Sequence, residues 1–329
     1  MNRERWRDVA TDHFDVAAQR FFNPWGQVDR GIPDLLRWWL TAKREPWPAS
    51  VTNRPYLPPP GAVPEGQAAI TMIGHAGVLV QVDGFTLLTD PHFSTHAGPG
   101  GRLGTKRVRP PGIEPRELPA VNAVFISHNH YDHLDIPSLR WLTAQRAPAF
   151  VTCLGLKAPL ERKGIGPVME LDWWEPTDVI GATITATPAM HWSNRTMLDR
   201  RKTLWGGCML KVPYAPLIYF AGDSGYAPVF ATVRERLGAP DVALLPIGAY
   251  EPRWFMQPFH MTPEEAVRAH REVGAKVSIA THHSYFRLAD DGFDAPARLL
   301  ADARAAAGVP PDDFRVLDVG ETAVLGPRS

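Results

Sequence analysis

The segment SHNHYDHLD, at positions 127 to 135, concentrates metal-seeking side chains directly after an apolar run. His128 and His130 are two residues apart, so their rings can converge on one ion if the backbone turns around it. Asp132 and His133 follow in a turn before an expected helix, and they should project to a different side. One loop of this kind can therefore serve two neighbouring metal ions.

Four protein donors cannot complete two metal ions, because zinc usually takes four ligands and a catalytic zinc keeps one position for water. Further ligands should therefore stand at the ends of other strands, where open α/β sheets place their sites. Each candidate follows an apolar run of β type. The candidates are His191, Asp223, His282 and His283.

The elements that must position these residues follow from the hydrophobic pattern. Short runs of β type are predicted at 68–74, 77–83, 85–91, 122–128, 149–155, 182–189, 216–223, 241–248 and 276–282. Helices are expected at 136–146 and at 262–273, where Thr262 and Glu265 form a capping-box pattern. The pattern predicts an α/β fold with early hairpins and later alternation of strands and helices.

The first part of the chain differs from the rest in composition. Residues 44–66 are too rich in proline for a helix or a central strand and are expected to form an extended wrapping arm. Before the arm, DLLRWWLTAKR has helical spacing of apolar residues, including Trp38 and Trp39. Such a stripe usually docks on its own domain, and the alternative is a membrane interface. We predict an N-terminal helix and arm over residues 1–67 and a main domain over residues 68–329.

Composition excludes several classes of function. With 35 basic and 35 acidic residues, the chain has no global positive field that would gather nucleic acid. Cys153 and Cys208 lie in apolar segments without CxxC spacing, which argues against disulfides and against a thiolate metal site. Neither an apolar leader nor a run of about 18 apolar residues is present. A cytoplasmic location is expected.

The motifs resemble those of a known superfamily. The HxHxDH loop with a distant His, Asp and His is similar to the metallo-β-lactamase superfamily, which implies an αββα sandwich with a dinuclear zinc site. GHAGVLVQVDGFTLLTDPHFS, ELDWWE, FAGDSGY and IGAYEPRWFMQPFHMTPEEAV then resemble the N-acyl-phosphatidylethanolamine-hydrolysing phospholipase D family, in order and over roughly residues 70 to 320. The resemblance implies a metallo-β-lactamase-like catalytic domain over residues 68–329. It leaves open a homodimer and peripheral contact with the inner membrane surface.

The resemblance also implies a set of metal ligands, position by position. The ligands of one zinc would be His128, His130 and His191. Those of the other zinc would be Asp132, His133 and His282, with Asp223 bridging the two ions. His282 matches the last ligand of the family, and His283 is the alternative. Another divalent metal in place of zinc stays open.

Three more features take roles from the resemblance. Asp90 is similar to an aspartate that orients a ligand histidine, and the alternative is a turn residue before Pro91. His260 matches a histidine near the substrate that would donate a proton to the leaving oxygen or bind a phosphate oxygen. A basic segment is expected to contact a phosphate headgroup, with a solvated loop as the alternative. Its residues are Lys106, Arg107 and Arg109.

The implied chemistry is hydrolysis of a phosphodiester. Two cations that share a water make it acidic enough to give hydroxide near neutral pH, and they stabilise charge on phosphoryl oxygens. The family resemblance implies cleavage of N-acyl-phosphatidylethanolamine-like lipids to phosphatidic acid and N-acylethanolamine. Phe259 stands where the family has Gln, which leaves the lipid open. The alternatives are a zinc hydrolase of a soluble phosphodiester, lactone or amide, and a metal-bound lipid-binding protein without turnover.

Overall fold

The computed structural model describes residues 12–196 and 198–326. The N-terminal elements are β1 (Phe14–Asp15), β2 (Arg20–Phe21) and α1 (Ile32–Thr41). The first half of the main body contains β3 (Ala68–Gly74), β4 (Gly77–Val82), β5 (Phe85–Thr89), β6 (His96–Ala97), β7 (Thr105–Lys106), β8 (Ala123–Ile126), α2 (Ile136–Gln145), β9 (Ala149–Cys153), α3 (Lys157–Glu161) and β10 (Val168–Leu171). The second half contains β11 (Pro176–Val179), β12 (Ala182–Thr187), β13 (Gly207–Lys211), β14 (Ile218–Phe220), α4 (Val229–Leu237), β15 (Val242–Pro246), α5 (Arg253–Met256), α6 (Pro263–Val273), β16 (Val277–Thr281), α7 (Ala295–Ala307), β17 (Phe314–Arg315) and β18 (Thr322–Leu325).

Two seven-stranded sheets, with strand orders β10-β9-β8-β5-β4-β3-β18 and β11-β12-β13-β14-β15-β16-β17, enclose the main core. Phe125 of the first sheet meets Phe220 of the second, with ring centroids 6.2 Å apart. Leu139 of α2 packs on the outer face of the first sheet. Val233 of α4 and Val267 of α6 pack on the outer face of the second. This αββα sandwich confirms the predicted fold class.

Strand direction determines which loops meet. In the first sheet, β5, β8 and β9 run parallel, and β3 has the same direction because the antiparallel β4 lies between β3 and β5. In the second sheet, β14, β15 and β16 run parallel, and β12 shares their direction through the antiparallel β13. The loops that leave the carboxyl ends of these strands come together at one edge of the sandwich.

Helix α6 begins and ends as its sequence predicts. The Thr262 hydroxyl accepts a hydrogen bond from the Glu265 amide at 3.1 Å, and the Glu265 carboxylate accepts one from the Thr262 amide at 2.9 Å. This capping box satisfies amides that would otherwise be unpaired in the first turn. The helix ends at Gly274, whose φ of 72° is a left-handed conformation that glycine adopts without strain.

The N-terminal segment contacts the main body along much of its length. Phe14 and Phe21 belong to the core between the sheets. Residues 42–67 contain no helix or strand and run over the surface as an extended segment. Gln81 fixes this segment by donating a hydrogen bond from Nε2 to the carbonyl oxygen of Pro60 at 2.9 Å. The division of the chain at residue 67 stays a prediction.

Helix α1 docks through only part of its surface. Trp38 packs on Phe255 with ring centroids 4.9 Å apart, as expected for a docked helix. The remaining apolar stripe faces solvent, and its residues are exposed by 49 to 70%: Ile32, Leu35, Leu36, Trp39 and Leu40. The helix therefore docks on its own domain through Trp38 and not through this exposed stripe. Among the described residues, no helix is both long and apolar enough to cross a membrane.

Candidate metal centre

Polar side chains stand just past the strands that point to the shared edge. The first sheet supplies His75 after β3, Asp90 after β5 and the 128–133 loop after β8. The second sheet supplies His191, Asp223 and His282, which follow β12, β14 and β16. All three of the latter side chains are at most 3% exposed. Burial of so many polar groups is costly unless they have partners.

Three imidazoles converge at one side of this cluster. His128 Nε2 lies 2.8 Å from His130 Nδ1, and His191 Nε2 lies 3.2 Å from the same Nδ1. Both short distances end at His130 Nδ1, which carries at most one hydrogen, so hydrogen bonds donated by this nitrogen can account for only one of them. Around a tetrahedral zinc, with Zn–N distances of about 2.0–2.1 Å, ligand nitrogens lie about 3.3 Å apart. The observed separations therefore fit one cation between the rings.

A second set of donors lies beside the first. His133 Nε2 is 3.3 Å from Asp132 Oδ2 and 3.0 Å from Asp223 Oδ2. His282 Nε2 is 3.5 Å and 3.1 Å from the same two oxygens. Asp223 Oδ2 is also 3.8 Å from His191 Nε2 of the first set. The Asp223 carboxylate thus lies between the two sets of donors.

The hydrogen bonding of these donors tests whether a metal fits. His133 Nε2 and His282 Nε2 face carboxylate oxygens at close range, yet neither makes a hydrogen bond of acceptable geometry with the described residues. Asp223 Oδ1 is likewise buried without such a partner. Imidazole nitrogens and carboxylate oxygens are donors that zinc and similar divalent ions prefer. The residues present therefore fit divalent metal.

The two sets differ in their affinity for protons. Burial lowers the pKa of His130 to about 4 and that of His191 to about 3. Although burial alone would lower it, the Asp223 and Asp132 carboxylates raise the pKa of His282 to about 9. They also raise the pKa of His133 well above its usual value against the effect of burial. Near pH 7 the first set is neutral, whereas protons balance the carboxylates in the second.

The structure separates the two adjacent histidines that the sequence left as alternatives. His282 faces Asp132 and Asp223 and is 2% exposed. His283 Nδ1 lies 3.0 Å from Ser284 Oγ, and His283 lines a cavity with Arg109 to which neither Asp132 nor Asp223 contributes. Of the pair, His282 is the residue that the fold brings to the cluster.

Asp90 orients His133, one of the donors of the second set. Its Oδ2 lies 2.7 Å from His133 Nδ1, so the other ring nitrogen of His133 is directed at Asp132 and Asp223. Ser127 fixes the carboxylate by donating from its amide to Oδ1 at 2.8 Å and from its hydroxyl to Oδ2 at 2.6 Å. Such a bond to the second ring nitrogen orients a histidine and increases its basicity as a ligand.

His260 lies beside both sets of donors. Its ring centroid is 5.1 Å from that of His191 and 5.3 Å from that of His282, and its Nδ1 is buried without a partner among the described residues. Arg253 of α5 donates a hydrogen bond to the His260 carbonyl at 2.9 Å and forms an ion pair with Glu265 at 2.9 Å. The loop between α5 and α6 therefore holds His260 against the cluster.

Two residues of the basic segment, Arg107 and Arg109, bond to other parts of the protein. Arg109 is buried, with Nε bonded to Asn53 and one terminal nitrogen paired with Asp318, each at 2.7 Å. Arg107 donates to the carbonyl oxygen of Phe93 at 2.8 Å. Lys106 is exposed. The headgroup role expected for Arg109 is therefore replaced by a structural one, in which it ties the extended segment at Asn53 to the body.

Two residues that contact the cluster were missed in the sequence. His75 Nε2 lies 2.9 Å from Asp132 Oδ2, and the His75 carbonyl accepts a hydrogen bond from the His282 amide at 2.9 Å. His75 directly follows the predicted strand 68–74, so the strand-end criterion that selected His282 could have found it. Asn23 donates from Nδ2 to the His191 carbonyl at 2.8 Å, and no sequence signal pointed to it.

Comparison with known sequences identifies relatives over most of the chain. A family model of the beta-lactamase superfamily domain matches residues 86–283. An uncharacterized protein of Mycobacterium tuberculosis is 38% identical over 310 residues, which are 91% of this chain and 79% of that protein. N-acyl-phosphatidylethanolamine-hydrolyzing phospholipase D 1 of Caenorhabditis elegans is 36% identical over 266 residues, which are 76% of this chain and 74% of that protein.

A solved structure agrees with the fold. A metallo hydrolase from the hyperthermophilic archaeon Ignicoccus hospitalis superposes with a TM-score of 0.61 at 23% identity, covering 80% of this chain and 100% of that one. At this identity the likeness concerns the fold alone. The family match and the cluster of histidines and aspartates agree on one class of enzyme. The chain is a metal-dependent hydrolase that belongs to the β-lactamase superfamily, within the family that includes the N-acyl-phosphatidylethanolamine-hydrolysing phospholipases D.

Proposed function

We propose that this hydrolase is a zinc phosphodiesterase of the phospholipase D type, which converts N-acyl-phosphatidylethanolamine-like lipids to phosphatidic acid and N-acylethanolamine. The observation that carries the proposal is the pair of adjoining donor sets joined by Asp223. The 36% identity to the C. elegans phospholipase D supports the choice of substrate.

The proposal assigns each donor set to one ion. The first ion would be held by His128 Nε2, His130 Nδ1 and His191 Nε2. The second would be held by Asp132 Oδ2, His133 Nε2 and His282 Nε2. Asp223 would contact both ions, since its Oδ2 lies near nitrogens of both sets. Each ion would then have four protein ligands, counting the shared Asp223, and water or substrate would take a fifth position, to which catalytic zinc can expand.

The protein residues have distinct tasks in this reaction. When bound, the two ions would acidify a water shared between them and offset charge on the phosphoryl oxygens. Asp223 would fix the separation of the two sites, and Asp90 would hold the ring of His133 in the orientation that binds the ion. His260 would donate a hydrogen bond from its ring N–H to a phosphoryl oxygen or to the leaving oxygen, because its ring lies beside both sets.

The atoms balance as in an ordinary diester hydrolysis. The oxygen of water forms a bond to phosphorus, and the bond between phosphorus and the N-acylethanolamine oxygen breaks. One proton of the water goes to the leaving oxygen, which gives the alcohol. The other remains with the phosphomonoester, which is phosphatidic acid.

We also propose peripheral contact with a lipid surface through α1. The exposed stripe of α1 includes Leu36, Trp39 and Leu40, and Arg37 and Lys43 are exposed nearby. An exposed apolar face flanked by basic residues is typical of helices that lie in the membrane interface. This arrangement would let the enzyme act on lipid that stays in a bilayer.

The α1 face is linked by contacts to the reaction site. The guanidinium of Arg37 lies 4.4 Å from the ring centroid of Trp254, and Trp38 packs on Phe255. Both aromatic residues belong to α5, which also contains Arg253, the residue that bonds to the His260 carbonyl. Helix α5 would therefore connect the membrane-contacting helix α1 with the loop that carries His260.

The ligand assignment predicts different outcomes for two adjacent substitutions. His282→Ala should lose about one zinc per chain and reduce kcat/KM by on the order of 100-fold or more, because outer contacts alone already contribute 10- to 100-fold. His283→Ala is the matched control and should keep the metal content and activity of the parent. Elemental analysis and diester hydrolysis measure both. Loss of metal from the His283 variant alone would overturn the assignment.

The proton affinities predict how metal binding depends on pH. Binding to the second set must displace the proton from His282, whose pKa is raised to about 9 by Asp223 against the effect of burial. Lowering the pH from 9 to 6 increases the protonated fraction, so the affinity for the second ion should fall by about tenfold per pH unit for each proton displaced. The first set is already neutral there, because burial lowers the pKa of His130 to about 4.

Calorimetric zinc titrations of the metal-depleted protein, in buffers with different ionisation enthalpies, measure the protons released by each ion. Because its donors must first lose protons, the second ion should be the weaker of the two and should release more protons than the first. Equal release by both ions across pH 6 to 9 would contradict this difference between the two sets.

The substrate proposal is tested with zinc-loaded protein and N-acyl-phosphatidylethanolamine in mixed micelles. In water labelled with oxygen-18, the label should appear in phosphatidic acid and be absent from the N-acylethanolamine, because attack occurs at phosphorus. Mass spectrometry detects both products, and His283→Ala serves as an active control. Parallel assays use a soluble diester, a lactone and an amide. Hydrolysis of one of those compounds without hydrolysis of the lipid would show that the lipid is not the substrate. No hydrolysis of any compound would favour a lipid-binding protein without catalytic activity.

The membrane contact predicts a selective defect. Trp39→Ser combined with Leu40→Ser should weaken cosedimentation with anionic vesicles and slow hydrolysis of vesicle lipid, while hydrolysis of a soluble diester stays near that of the parent. A matched control replaces Ile180 and Tyr214, exposed by 77% and 100% in turns elsewhere, with serine. Equal vesicle binding by the parent and both double variants would exclude α1 as the contact.

A further inference from the structure

His75 joins two of the proposed ligands although it belongs to neither donor set. Its Nε2 lies 2.9 Å from Asp132 Oδ2. Its carbonyl accepts a hydrogen bond from the His282 amide at 2.9 Å, and its ring centroid is 4.0 Å from that of His282. One residue therefore contacts Asp132 through its side chain and His282 through its backbone and ring.

The conformation of His75 is held firmly by its surroundings. The residue is 3% exposed and has a φ of 55°, a left-handed conformation that few residues other than glycine adopt. The rings of Phe286 and His75 pack edge to face, with centroids 5.2 Å apart. Because Nε2 faces a carboxylate and Nδ1 has no partner among the described residues, the ring proton belongs on Nε2. His75 is thus a fixed hydrogen-bond donor aimed at Asp132.

Asp132 needs such a donor more than a fully buried carboxylate would. Its side chain is 13% exposed, whereas that of Asp223 is 2% exposed. A carboxylate at the rim can turn toward water, where its charge is well solvated. The bond from His75 instead keeps Oδ2 directed at His133 Nε2 and His282 Nε2, which lie 3.3 and 3.5 Å away.

We propose that His75 is a positioning residue for the second metal site, which fixes the Asp132 carboxylate and the backbone of His282 so that both face the same ion. The inference rests on the proposed function, because it requires a second ion at these residues. Removal of the N–H donor should lower the affinity for the second ion by about 10- to 100-fold, as is usual for hydrogen-bonding partners of metal ligands. The first ion should be held as in the parent, because none of its proposed ligands contacts His75 through a hydrogen bond.

The experiment compares His75→Leu with His75→Gln in the full chain. Leu removes the donor, whereas Gln keeps an N–H at a similar reach, and both meet the same left-handed backbone. Cobalt(II) is titrated into metal-depleted protein, and visible absorption with chelator competition gives the affinity of each site. His92→Leu is the matched control, since His92 is also 3% exposed but makes no hydrogen bond to a proposed ligand. Thermal unfolding of each metal-depleted variant verifies that it folds.

The proposal expects the Leu variant to lose affinity at the weaker site only, with the Gln variant close to the parent and the His92 control unchanged. Two tight sites in a folded Leu variant would overturn it. So would equal weakening of both sites, which indicates a general structural role, or a Gln variant as weak as Leu. If Leu fails to fold, the comparison of Gln with the parent decides, and loss of the weaker site in Gln overturns the proposal. A parent that binds only one ion would instead contradict the proposed function.

Discussion

The buried carboxylate of Asp223 imposes the main electrostatic constraint on this molecule. Its Oδ2 lies within 3.1 Å of His133 Nε2 and His282 Nε2, and its Oδ1 has no hydrogen-bonding partner among the described residues. A buried charge of this kind is costly unless positive charge compensates it. Protons on the two imidazoles supply that charge in one state, and divalent ions supply it in the other. The rest of the site keeps the donors in place for this exchange.

The fold meets this constraint through the direction of its strands. Parallel neighbours in both sheets, and strands separated by one antiparallel neighbour, all deliver their carboxyl ends to the same edge. The donors are therefore carried on short loops attached to buried strands, which limits their freedom. Asp90 and His75 add a second layer of hydrogen bonds, one to His133 and the other to Asp132. Hydrogen bonds of this kind fix the orientation of the metal ligands to which they are made.

Much of this arrangement was visible in the sequence, because local signals coincide with chemistry. The HxHxDH loop and the polar residues after apolar runs pointed to His191, Asp223, His282 and His283, and the fold brings the first three together. Strand β13 (Gly207–Lys211) was not predicted, since a short run with a glycine and a terminal lysine gives a weak pattern. Long-range partners were also out of reach. Arg109 pairs with Asp318, 209 residues away, and no local pattern shows that.

The surface of α1 shows another limit of sequence patterns. Its apolar spacing indicates a helix with one hydrophobic face, but it cannot show whether that face meets protein, lipid or water. Here Trp38 meets Phe255, while Trp39 is 70% exposed. Adjacent tryptophans thus have different surroundings because successive residues of a helix point about 100° apart. The homodimer that the family resemblance leaves open is not tested by the structure of one chain.

The central claim is that two ions share Asp223, and anomalous diffraction from crystals of the zinc-loaded protein at the zinc absorption edge tests it most directly. The account predicts two peaks about 3.5–4 Å apart. One should lie about 2.0–2.1 Å from the converging nitrogens of His128, His130 and His191, and the other at a similar distance from His133 and His282 nitrogens. A single peak, or a second peak bound by His283 with no contact to Asp223, would contradict the account.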